Sequence, residues 1–264
     1  MPSFVLPKTY LVGYTVIDKL GLQEYLHDTN QIDFLNEVEA AREEGLSDGE
    51  ILCSYYAKLC YASLVIGKNK NISKTRSIYN NLLATLESGH GSVFEHCALN
   101  FTTTNCSRVF THELVRHRVG TAFSQTSGRY VRTDNINFVH DPILDIVKDD
   151  IKMWLDYTES VYKVIEDKVG VHGITDFNLK KKLTSALRRI LPNGQANEIG
   201  FTLNLRSLRH TITMRTNRHA EWEIRCIFNQ IYDLVREKYP AIFSDAKTEE
   251  IDNLKEVTFS TVKI

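Results

Sequence analysis

Apolar residues recur along this chain at the spacing of amphipathic helices, and one stretch, residues 97–104, alternates instead. Helical spacing occurs over residues 48–65, 74–87, 107–118, 142–168 and 176–190, and over 205–216 and 219–238 as one or two further helices. Within 97–104, Leu99 and Phe101 are separated by polar neighbours, which is typical of a strand with one buried face. Ser47 and Glu50 have the spacing of a capping box and predict where the first of these helices begins. The patterns predict an α+β fold that is helix-rich with a modest sheet.

The chain has 264 residues and a net charge of −1, with 42% hydrophobic and 25% charged residues. These values are ordinary for a globular protein, and near neutrality argues against a general nucleic-acid-binding protein, which would be basic. The length allows one large domain or two small ones. Because glycine (13) and proline (5) are sparse and no linker is evident, we expect a single domain over residues 1–264.

The cysteines indicate a reducing compartment. There are five of them, an odd number, and no two form a Cys-x-x-Cys pair. The sequence contains no secretory leader and no apolar run of about 18 residues, so we expect no membrane span and a cytoplasmic protein with reduced thiols. No cysteine lies among flanking cations or at a helix start, so an activated thiolate nucleophile is not expected.

Cationic and imidazole side chains are concentrated in residues 116–130, and Arg132 follows directly. They are Arg116, His117, Arg118 and Arg129. Guanidinium groups, together with the hydroxyl and glycine residues between them, are suited to binding a phosphate or pyrophosphate. The plain alternative is a solvated basic turn. Interleaved apolar residues, among them Val119 and Phe123, favour a partly buried anion site over that alternative.

A second cluster, residues 89–96, contains His90, Glu95 and His96. A metal site here would need a third protein ligand with suitable geometry, so a polar turn between a helix and a strand is the favoured interpretation. His112 and His117 raise the alternative of a zinc hydrolase. They are five residues apart, which on a helix would make their imidazoles diverge by roughly 140°, whereas the zinc motif needs a spacing of four. We therefore predict no metal site.

The C-terminal half contains a third cluster. Leu-Arg-Arg-Ile-Leu-Pro occupies residues 187–192, Asn-Leu-Arg-Ser-Leu occupies 204–208, and His-Ala-Glu-Trp-Glu-Ile occupies 219–224. Arg206 and His210 are four apart and would share a helix face. A helix with a solvated basic stripe would explain the charges of this region but not the order Asn-x-Arg-Ser-Leu.

The three clusters together resemble the flavin-dependent thymidylate synthases, the ThyX family. Residues 116–118 and 127–130 match the two ends of the family's Arg-His-Arg motif, with one extra residue between them. Either the loop is one residue longer, which keeps Ser-Gly-Arg-Tyr in register, or Thr126 takes the place of the family's serine. The resemblance covers roughly residues 50–235. It implies a ThyX-like fold with a modest central antiparallel sheet flanked by helices.

The resemblance also implies roles for individual residues. Reductive C5-methylation of dUMP to dTMP would use methylenetetrahydrofolate, FAD and NADPH, with Arg215 as the catalytic residue that polarises the uracil. The residues implied to bind the nucleotide are Glu113, Arg116, Gln125, Ser127, Gly128, Arg129, Arg188 and Arg215. The residues implied to bind FAD are His90, Ser92, Arg116, His117, Arg118, Gln125, Asn204, Arg206 and His210. A homotetramer whose subunits share active sites is implied as well.

One departure from the family bears on the substrate. Glu113 stands where the family commonly has a glutamine that contacts the nucleotide. A carboxylate only accepts hydrogen bonds unless it is protonated, and a ribose 2′-hydroxyl donates one. A homologue that methylates or hydroxymethylates another uracil nucleotide, such as UMP, is therefore an alternative. A non-catalytic nucleotide- or nucleic-acid-binding protein built on the basic cluster is the alternative from a different functional class.

Overall fold

The alternating stretch becomes an inner strand of a four-stranded antiparallel sheet. The computed structural model describes residues 1–131 and 135–261, so Arg132 of the basic cluster lies outside the described residues. The strands are β1 (Ser3–Val5), β2 (Lys8–Tyr14), β3 (Ala98–Cys106), β4 (Thr121–Gln125), β5 (Asn137–Val139), β6 (Asn197–Asn204), β7 (Ala246–Ile251) and β8 (Leu254–Phe259). The central sheet has the order β2-β3-β6-β4, β1 pairs in parallel with β5, and β7 forms an antiparallel hairpin with β8.

The predicted strand is confirmed, with bounds shifted from 97–104 to Ala98–Cys106. Leu99 and Phe101 are buried, and Phe101 lies opposite Phe201 of β6 with ring centroids 5.5 Å apart. Aromatic pairs directly opposite each other stabilise neighbouring strands and favour one register over its neighbours. The register of β3 against β6 places Asn204, the last residue of β6, beside Ala98.

Helices cover the sheet and contain more residues than the strands do. They are α1 (Lys19–Asp28), α2 (Phe34–Glu43), α3 (Asp48–Cys60), α4 (Ile78–Glu87), α5 (Arg108–Leu114), α6 (Lys148–Val169), α7 (Phe177–Leu187), α8 (Leu205–Arg215) and α9 (Trp222–Lys238). Short 3₁₀ segments occupy Gly91–His96, Pro142–Val147, Val171–Gly173 and Arg188–Ile190. A small antiparallel sheet within a helix-rich chain confirms the predicted α+β class.

Three predicted helices are shorter than the sequence patterns indicate. The helix predicted over 48–65 ends at Cys60, because Ala62 adopts a left-handed φ of 48°. The helix predicted over 74–87 begins only at Ile78, where the Ser77 hydroxyl accepts a hydrogen bond from Asn80 N. The helix predicted over 107–118 ends at Leu114, so residues 116–118 lie in the turn after α5 rather than within the helix.

Two further segments that were predicted as single helices contain 3₁₀ turns. In the segment 142–168, Pro142–Val147 is 3₁₀ and α6 begins at Lys148. In the segment 176–190, α7 ends at Leu187 and a 3₁₀ turn leads to Leu191, which is extended (ψ 145°) because it precedes Pro192. The segments 205–216 and 219–238 form two separate helices, α8 and α9.

The predicted capping box is confirmed and also connects distant parts of the chain. Ser47 N donates to Glu50 Oε2 (3.0 Å), while Glu50 N donates to Ser47 Oγ (3.3 Å). The other carboxylate oxygen of Glu50 accepts from Ala241 N at 2.8 Å. Burial raises the pKa of Glu50. One buried carboxylate thus joins the start of α3 to the segment after α9.

The hydrophobic core lies between the central sheet and the helices α3, α8 and α9. Helix α9 contributes a fully buried stripe at helical spacing: Ile224, Ile227, Phe228, Ile231 and Val235. This stripe contacts β2 of the central sheet and β8 of the C-terminal hairpin. Burying such side chains stabilises the fold by roughly 1.5–3 kcal/mol each, which makes α9 a principal support of the site described below.

Within residues 1–131 and 135–261, none of the helices combines the length and apolar character that crossing a bilayer requires. All five cysteines are free thiols, and Cys60 is the exposed one. Burial raises the pKa of Cys53, Cys97, Cys106 and Cys226, which disfavours their thiolate forms.

Candidate active site

The basic segment after α5 forms a tight turn and enters β4. His117 N donates to Leu114 O (3.1 Å), and Thr121 Oγ1 donates to His117 O (2.8 Å). Thr121 then pairs with Leu203 of β6. Because β6 ends at Asn204 and α8 begins at Leu205, this pairing holds the basic turn next to the start of α8.

A glycine makes this close approach possible. Gly120 has a left-handed φ of 65°, and a Cβ at this position would lie 2.1 Å from Asn204 Nδ2. Asn204 is buried and caps α8, since its side-chain oxygen accepts from Ser207 N at 2.8 Å. Ser207 Oγ donates to Val119 O at 2.6 Å. The turn and the helix start therefore hold each other in place. Asn204, which is predicted to contact FAD, serves in the structure as the N-cap of α8.

Arg215, at the end of α8, is held by two partners from the basic segment. Its Nη1 donates to Glu113 Oε2 at 2.6 Å and its Nη2 to Glu113 O at 3.2 Å. Its Nε donates to His117 Nε2 at 2.7 Å. The side chains of Arg215 and Glu113 are 17% and 29% exposed, so the pair is only partly open to water. A guanidinium held at three nitrogens has little freedom to rotate.

His117 is the neutral member of this group. Burial, followed by the charges of Arg215, His210 and Arg116, lowers the pKa of His117 to about 4. At neutral pH its imidazole is uncharged, so Nε2 accepts the hydrogen bond from Arg215 and the proton is carried by Nδ1. The predicted catalytic arginine and two predicted ligand-binding residues are thus brought together in a single group.

Three further predicted residues surround this group and are open to ligand. Arg116, Arg118 and His210 are exposed and, among the described residues, make no side-chain hydrogen bond or ion pair. Free guanidinium and imidazole donors at one place form a positive surface. This surface and the Arg215 group together are suited to an anionic ligand with a polar ring.

Gly128 and Arg188 lie apart from the Arg215 group, at a cavity of 240 Å³. A Cβ at Gly128 would meet Arg188 Cδ at 3.7 Å. Arg108 lines the same cavity and was not predicted as a site residue. Its position directly after Ser107, the N-cap of α5, indicates a helix start and carries no sign of a ligand. Only the tertiary structure places it beside Arg188.

His90 and Ser92 lie at a larger cleft of 1310 Å³, which Arg206 also lines. His90 Nδ1 lies 3.2 Å from Tyr61 Oη, and the two rings are stacked. Arg206 Nη1 donates to Glu95 Oε1 at 2.5 Å. Tyr61 was not predicted as a site residue, because nothing in its sequence neighbourhood distinguishes it from the other residues of α3 and its end. The cleft unites three predicted cofactor residues.

The remaining predicted residues lie at the end of β4 and in the loop that follows it. Gln125 is half-buried and its Nε2 donates to Thr111 Oγ1 at 3.3 Å. Ser127 Oγ accepts from Arg129 N at 3.3 Å, and the Arg129 guanidinium lies over the ring of Tyr130. Thr126 N donates to Glu198 O, which continues the pairing beyond β4. Ser127 and Gly128 therefore lie just beyond the end of the sheet.

No group of three or more His, Cys, Asp or Glu side chains in the described part of the chain is arranged to hold a metal ion. His112 lies on α5, whereas His117 lies after the end of that helix. His117 Nε2 is engaged by Arg215. The functional groups that the structure gathers around Arg215 are arginines, a neutral imidazole and a carboxylate.

Comparison with known proteins identifies the family of this chain. A family model described as thymidylate synthase complementing protein matches residues 44–241. A flavin-dependent thymidylate synthase of Mycobacteroides abscessus is 31% identical over 241 residues, which cover 86% of this chain and 92% of that protein. One of Clostridium tetani is 30% identical over 197 residues, which cover 71% of this chain and 78% of that protein.

A solved structure is similar over nearly the whole chain. The UMP/dUMP methylase PolB from Streptomyces cacaoi, determined with bound 5-Br dUMP, has a TM-score of 0.60 and covers 92% of this chain and 95% of its own. Its identity is 16%, so this similarity establishes the fold. Because the family model spans most of the chain and the relatives cover it at about 30% identity, the chain belongs to the family of thymidylate synthase complementing proteins, the ThyX family expected from its sequence.

Proposed function

We propose that this chain is a flavin-dependent thymidylate synthase that methylates C5 of dUMP, using methylenetetrahydrofolate as carbon donor and NADPH as reductant. The proposal treats residues 1–264 as one catalytic domain in the cytoplasm. Forming the methyl group requires a new C–C bond at C5, loss of the C5 proton and a two-electron reduction. Membership of the family and the names of the relatives support the reaction class. The geometry around Arg215 supports the substrate class.

The observation that carries the proposal is the fixed orientation of Arg215. Glu113 and His117 hold its guanidinium at 2.6 and 2.7 Å. Methylation at C5 moves negative charge from C5 toward the uracil carbonyl oxygens, and an oriented cation stabilises that charge without having to reorganise. Arg215 would accordingly be the catalytic residue. His117, which is neutral, keeps Arg215 in place without competing for the developing negative charge.

The residues at the large cleft fit a flavin dinucleotide. The volume of the cleft, 1310 Å³, exceeds the roughly 300–1,000 Å³ of pockets that bind single small molecules. A cleft of this size suits a ligand made of two parts. Lys74, Arg76 and Arg206 line it, with Glu87 as a carboxylate. Guanidinium and ammonium groups are suited to a pyrophosphate. FAD, when bound, supplies the electrons for the final reduction.

The predicted residues form two groups, one for the cofactor and one for the nucleotide. His90 and Ser92 would contact the cofactor in the cleft, together with Arg206. The other predicted cofactor contacts come from two places. His117 is hydrogen-bonded to Arg215, and Arg116 and His210 lie close enough to His117 to lower its pKa. Arg118 follows in the basic turn, Gln125 contacts Thr111 of α5, and Asn204 caps the opposite end of α8. Gln125, Ser127, Gly128, Arg129 and Arg188 would hold the nucleotide with Glu113 and Arg116.

A shared active site in a homotetramer would join these groups. The Arg215 group and the Gly128 cavity are separate within the described protomer, and Arg116, Arg118 and His210 are exposed there. If a second protomer brings its Gly128 cavity to the Arg215 group of the first, one nucleotide contacts both. This distribution supports the tetramer that the family resemblance implies.

A second candidate substrate is UMP, with methylation or hydroxymethylation at C5. It is favoured by Glu113, whose carboxylate lies 2.6 Å from the Arg215 guanidinium. A carboxylate at this place can accept a hydrogen bond from a ribose 2′-hydroxyl, which dUMP lacks. The same flavin site and the same catalytic arginine serve both substrates.

The decisive experiment is a product analysis on the purified chain. The protein, loaded with FAD and reduced with NADPH, would be incubated with methylenetetrahydrofolate and with dUMP or UMP, and the nucleotides analysed by mass spectrometry. A methyl mass gained on dUMP alone is the expected result. A methyl or hydroxymethyl mass on UMP would replace the first candidate with the second.

A flavin absorption spectrum of the purified protein accompanies this test. If the protein binds nucleotide but does not bind flavin, only the alternative of a non-catalytic nucleotide-binding protein remains, and the proposal would be abandoned. An Arg236→Ala variant, which changes an exposed arginine on α9 away from the site, is the matched control for charge.

A further inference from the structure

The turn after α8, residues 216–221, is bound to the C-terminal hairpin at three consecutive positions. Thr216 is fully buried, and its Oγ1 accepts a hydrogen bond from Val257 N at 2.9 Å. Asn217 Nδ2 donates to Glu256 Oε1 at 2.7 Å, and Arg218 Nε donates to Glu256 Oε2 at 2.7 Å. Strand β8 therefore contacts the chain immediately after the residue that ends α8.

Glu256 shapes the turn after α8. Its side chain is 10% exposed, and both of its carboxylate oxygens accept hydrogen bonds from this turn. Asn217 extends the constraint along the turn, because its Oδ1 accepts from His219 N at 3.0 Å and its backbone oxygen accepts from Ala220 N at 2.9 Å. A buried carboxylate with both oxygens bonded to one short segment fixes the conformation of that segment.

The hairpin places a second carboxylate opposite Glu256. Glu249 of β7 lies directly across from Glu256 in the register of the two strands. Like charges at opposite positions of neighbouring strands repel each other, and Arg218, which forms ion pairs with both, offsets this repulsion. Glu249 is 68% exposed, whereas Glu256 is buried against the turn after α8. The hairpin and the turn therefore share one cluster of ion pairs.

Arg215 is consequently fixed at two ends. Its guanidinium is bonded to Glu113 and His117, and its backbone lies directly before the turn that Glu256 holds. Glu256 thus acts on the backbone from which the Arg215 side chain extends. Displacing a catalytic group by about 1 Å can lower a rate by about 10²-fold. A shift of this turn would move the guanidinium relative to the ring that it polarises.

We propose that Glu256 is a positioning residue for catalysis: it holds Asn217 and Arg218 so that Arg215 stays aligned with the uracil ring in the transition state. The inference rests on the proposed function, because it takes Arg215 to be the catalytic residue. Glu256 belongs to none of the three sequence clusters, and only the contact of β8 with the turn after α8 brings it close to the site.

Other residues attach the hairpin to α8 and α9, so its place does not depend on the Glu256 side chain alone. Asn229 of α9 accepts from Lys255 N at 2.6 Å and donates to Lys255 O at 2.9 Å. Arg209 of α8, which is buried, forms an ion pair with Asp245 directly before β7. We therefore expect variants of Glu256 to fold.

Two variants and one control define the test. Glu256→Ala removes both acceptor oxygens, whereas Glu256→Gln retains one of them and should cause the smaller loss. Asp233→Asn is the matched control. It weakens the ion pair between Asp233 of α9 and Lys255, the residue before Glu256, and does not touch the turn after α8.

The first measurement reports the position of Arg215 without relying on turnover. Burial and then the charge of Arg215 lower the pKa of His117. If Arg215 moves away, the pKa of His117 rises toward the usual histidine value, which NMR titration of the labelled imidazole in the FAD-loaded full chain detects. We expect a larger protonated fraction at about pH 5 in Glu256→Ala and native behaviour in Asp233→Asn. An unchanged titration of His117 in Glu256→Ala would overturn the inference.

The second measurement is steady-state kinetics of the FAD-loaded chain with dUMP, methylenetetrahydrofolate and NADPH. We expect Glu256→Ala to lower kcat by about tenfold or more and to change KM for dUMP by less than about twofold, because the contact that is lost belongs to the transition state. In an Arg215→Ala background, the same substitution should not lower the residual rate further, as product mass spectrometry would show. An equal fall in both backgrounds would mean that Glu256 acts through the fold in general, which also overturns the inference.

The two measurements separate this inference from the proposed function. A native chain that methylates neither dUMP nor UMP would overturn the proposed function. The titration of His117 would then decide alone whether Glu256 positions Arg215, because the bond between Arg215 and His117 does not depend on the reaction.

Discussion

Arg215 donates its Nε–H to His117 Nε2 over 2.7 Å, and this bond joins the end of α8 to the basic turn after α5. It requires an imidazole that accepts, and the lowered pKa of His117, about 4, ensures that form at neutral pH. Glu113 completes the group through its carboxylate and its backbone oxygen. The guanidinium of Arg215 is thus held by a carboxylate and a backbone oxygen on one side and by a neutral imidazole on the other, and these three bonds fix its orientation.

Removing the Arg215 side chain should abolish catalysis while FAD binding persists. For Arg215→Ala we expect kcat to fall by about 10²–10³-fold, because a charge-stabilising donor is lost from the transition state. Steady-state methylation assays and the flavin absorption spectrum measure the two effects. Arg236→Ala is the matched control on α9. Normal turnover in Arg215→Ala would remove this residue from the mechanism.

Replacing Glu113 by Gln should change the preference between deoxyribose and ribose. The amide oxygen can still accept from Arg215, but the charged acceptor for a 2′-hydroxyl is lost, so we expect the ratio of kcat/KM for dUMP over UMP to rise by about tenfold. Competition assays with both nucleotides measure the ratio. Glu249→Gln breaks an exposed pair with Arg218 far from the site and serves as control. An unchanged ratio would show that Glu113 does not contact the sugar.

His117 should make the fold sensitive to acid. The pKa of His117 in the folded chain, about 4, lies below the usual histidine value of 6.5, so its contribution to stability is present above pH 6.5 and is lost as pH falls toward 4. His117→Gln keeps an acceptor for Arg215 and does not titrate. Relative to that variant, we expect the native chain to lose about 3 kcal/mol of unfolding free energy between pH 7 and pH 4. Denaturant unfolding measured across this range gives the difference, and parallel curves would refute the assignment.

Gly120 should tolerate no side chain, for a reason separate from its backbone conformation. Gly120→Ala places a Cβ 2.1 Å from Asn204 Nδ2, which forces the cap of α8 to move. Gly170 has nearly the same φ, 66° against 65°, but nothing lies within 4 Å of its Cβ position, so Gly170→Ala is the matched control. We expect the control to lose about 1 kcal/mol from left-handed strain and Gly120→Ala to lose at least about 2 kcal/mol more. Thermal unfolding measures both, and equal losses would contradict the steric argument.

Some elements could be predicted from the sequence because the residues that determine them are close together along the chain. The Ser47 capping box, the buried alternation of β3 and the buried stripe of α9 depend on neighbours within a few residues, and the structure contains all three. The ends of the helices were predicted less accurately. Ala62 in the left-handed region ended one helix earlier than the apolar spacing indicated, and the last residues before Leu191 formed a 3₁₀ turn instead of α-helix.

Other strands were not predicted, because the segments they pair with are distant in the sequence. Strand β4 coincides with the end of the basic segment, where Thr121 to Gln125 pair with Leu203 to Ile199 of β6. Nothing in its five residues distinguishes it from a loop without that partner. In the C-terminal hairpin, β7 is mostly exposed, and β8 contacts α8 and α9, which hold the hairpin in place. Such elements depend on tertiary pairing, which local patterns do not encode.

The sequence by itself determined the family, the α+β class and the residue types available for binding an anion, because motif order and apolar periodicity are properties of the chain. The tertiary structure decided which of these residues meet. It joined Arg215 to Glu113 and His117 across about a hundred residues, and it placed the unpredicted Arg108 beside Arg188. Burial and neighbouring charge, which arise only when distant segments pack together, then made His117 neutral.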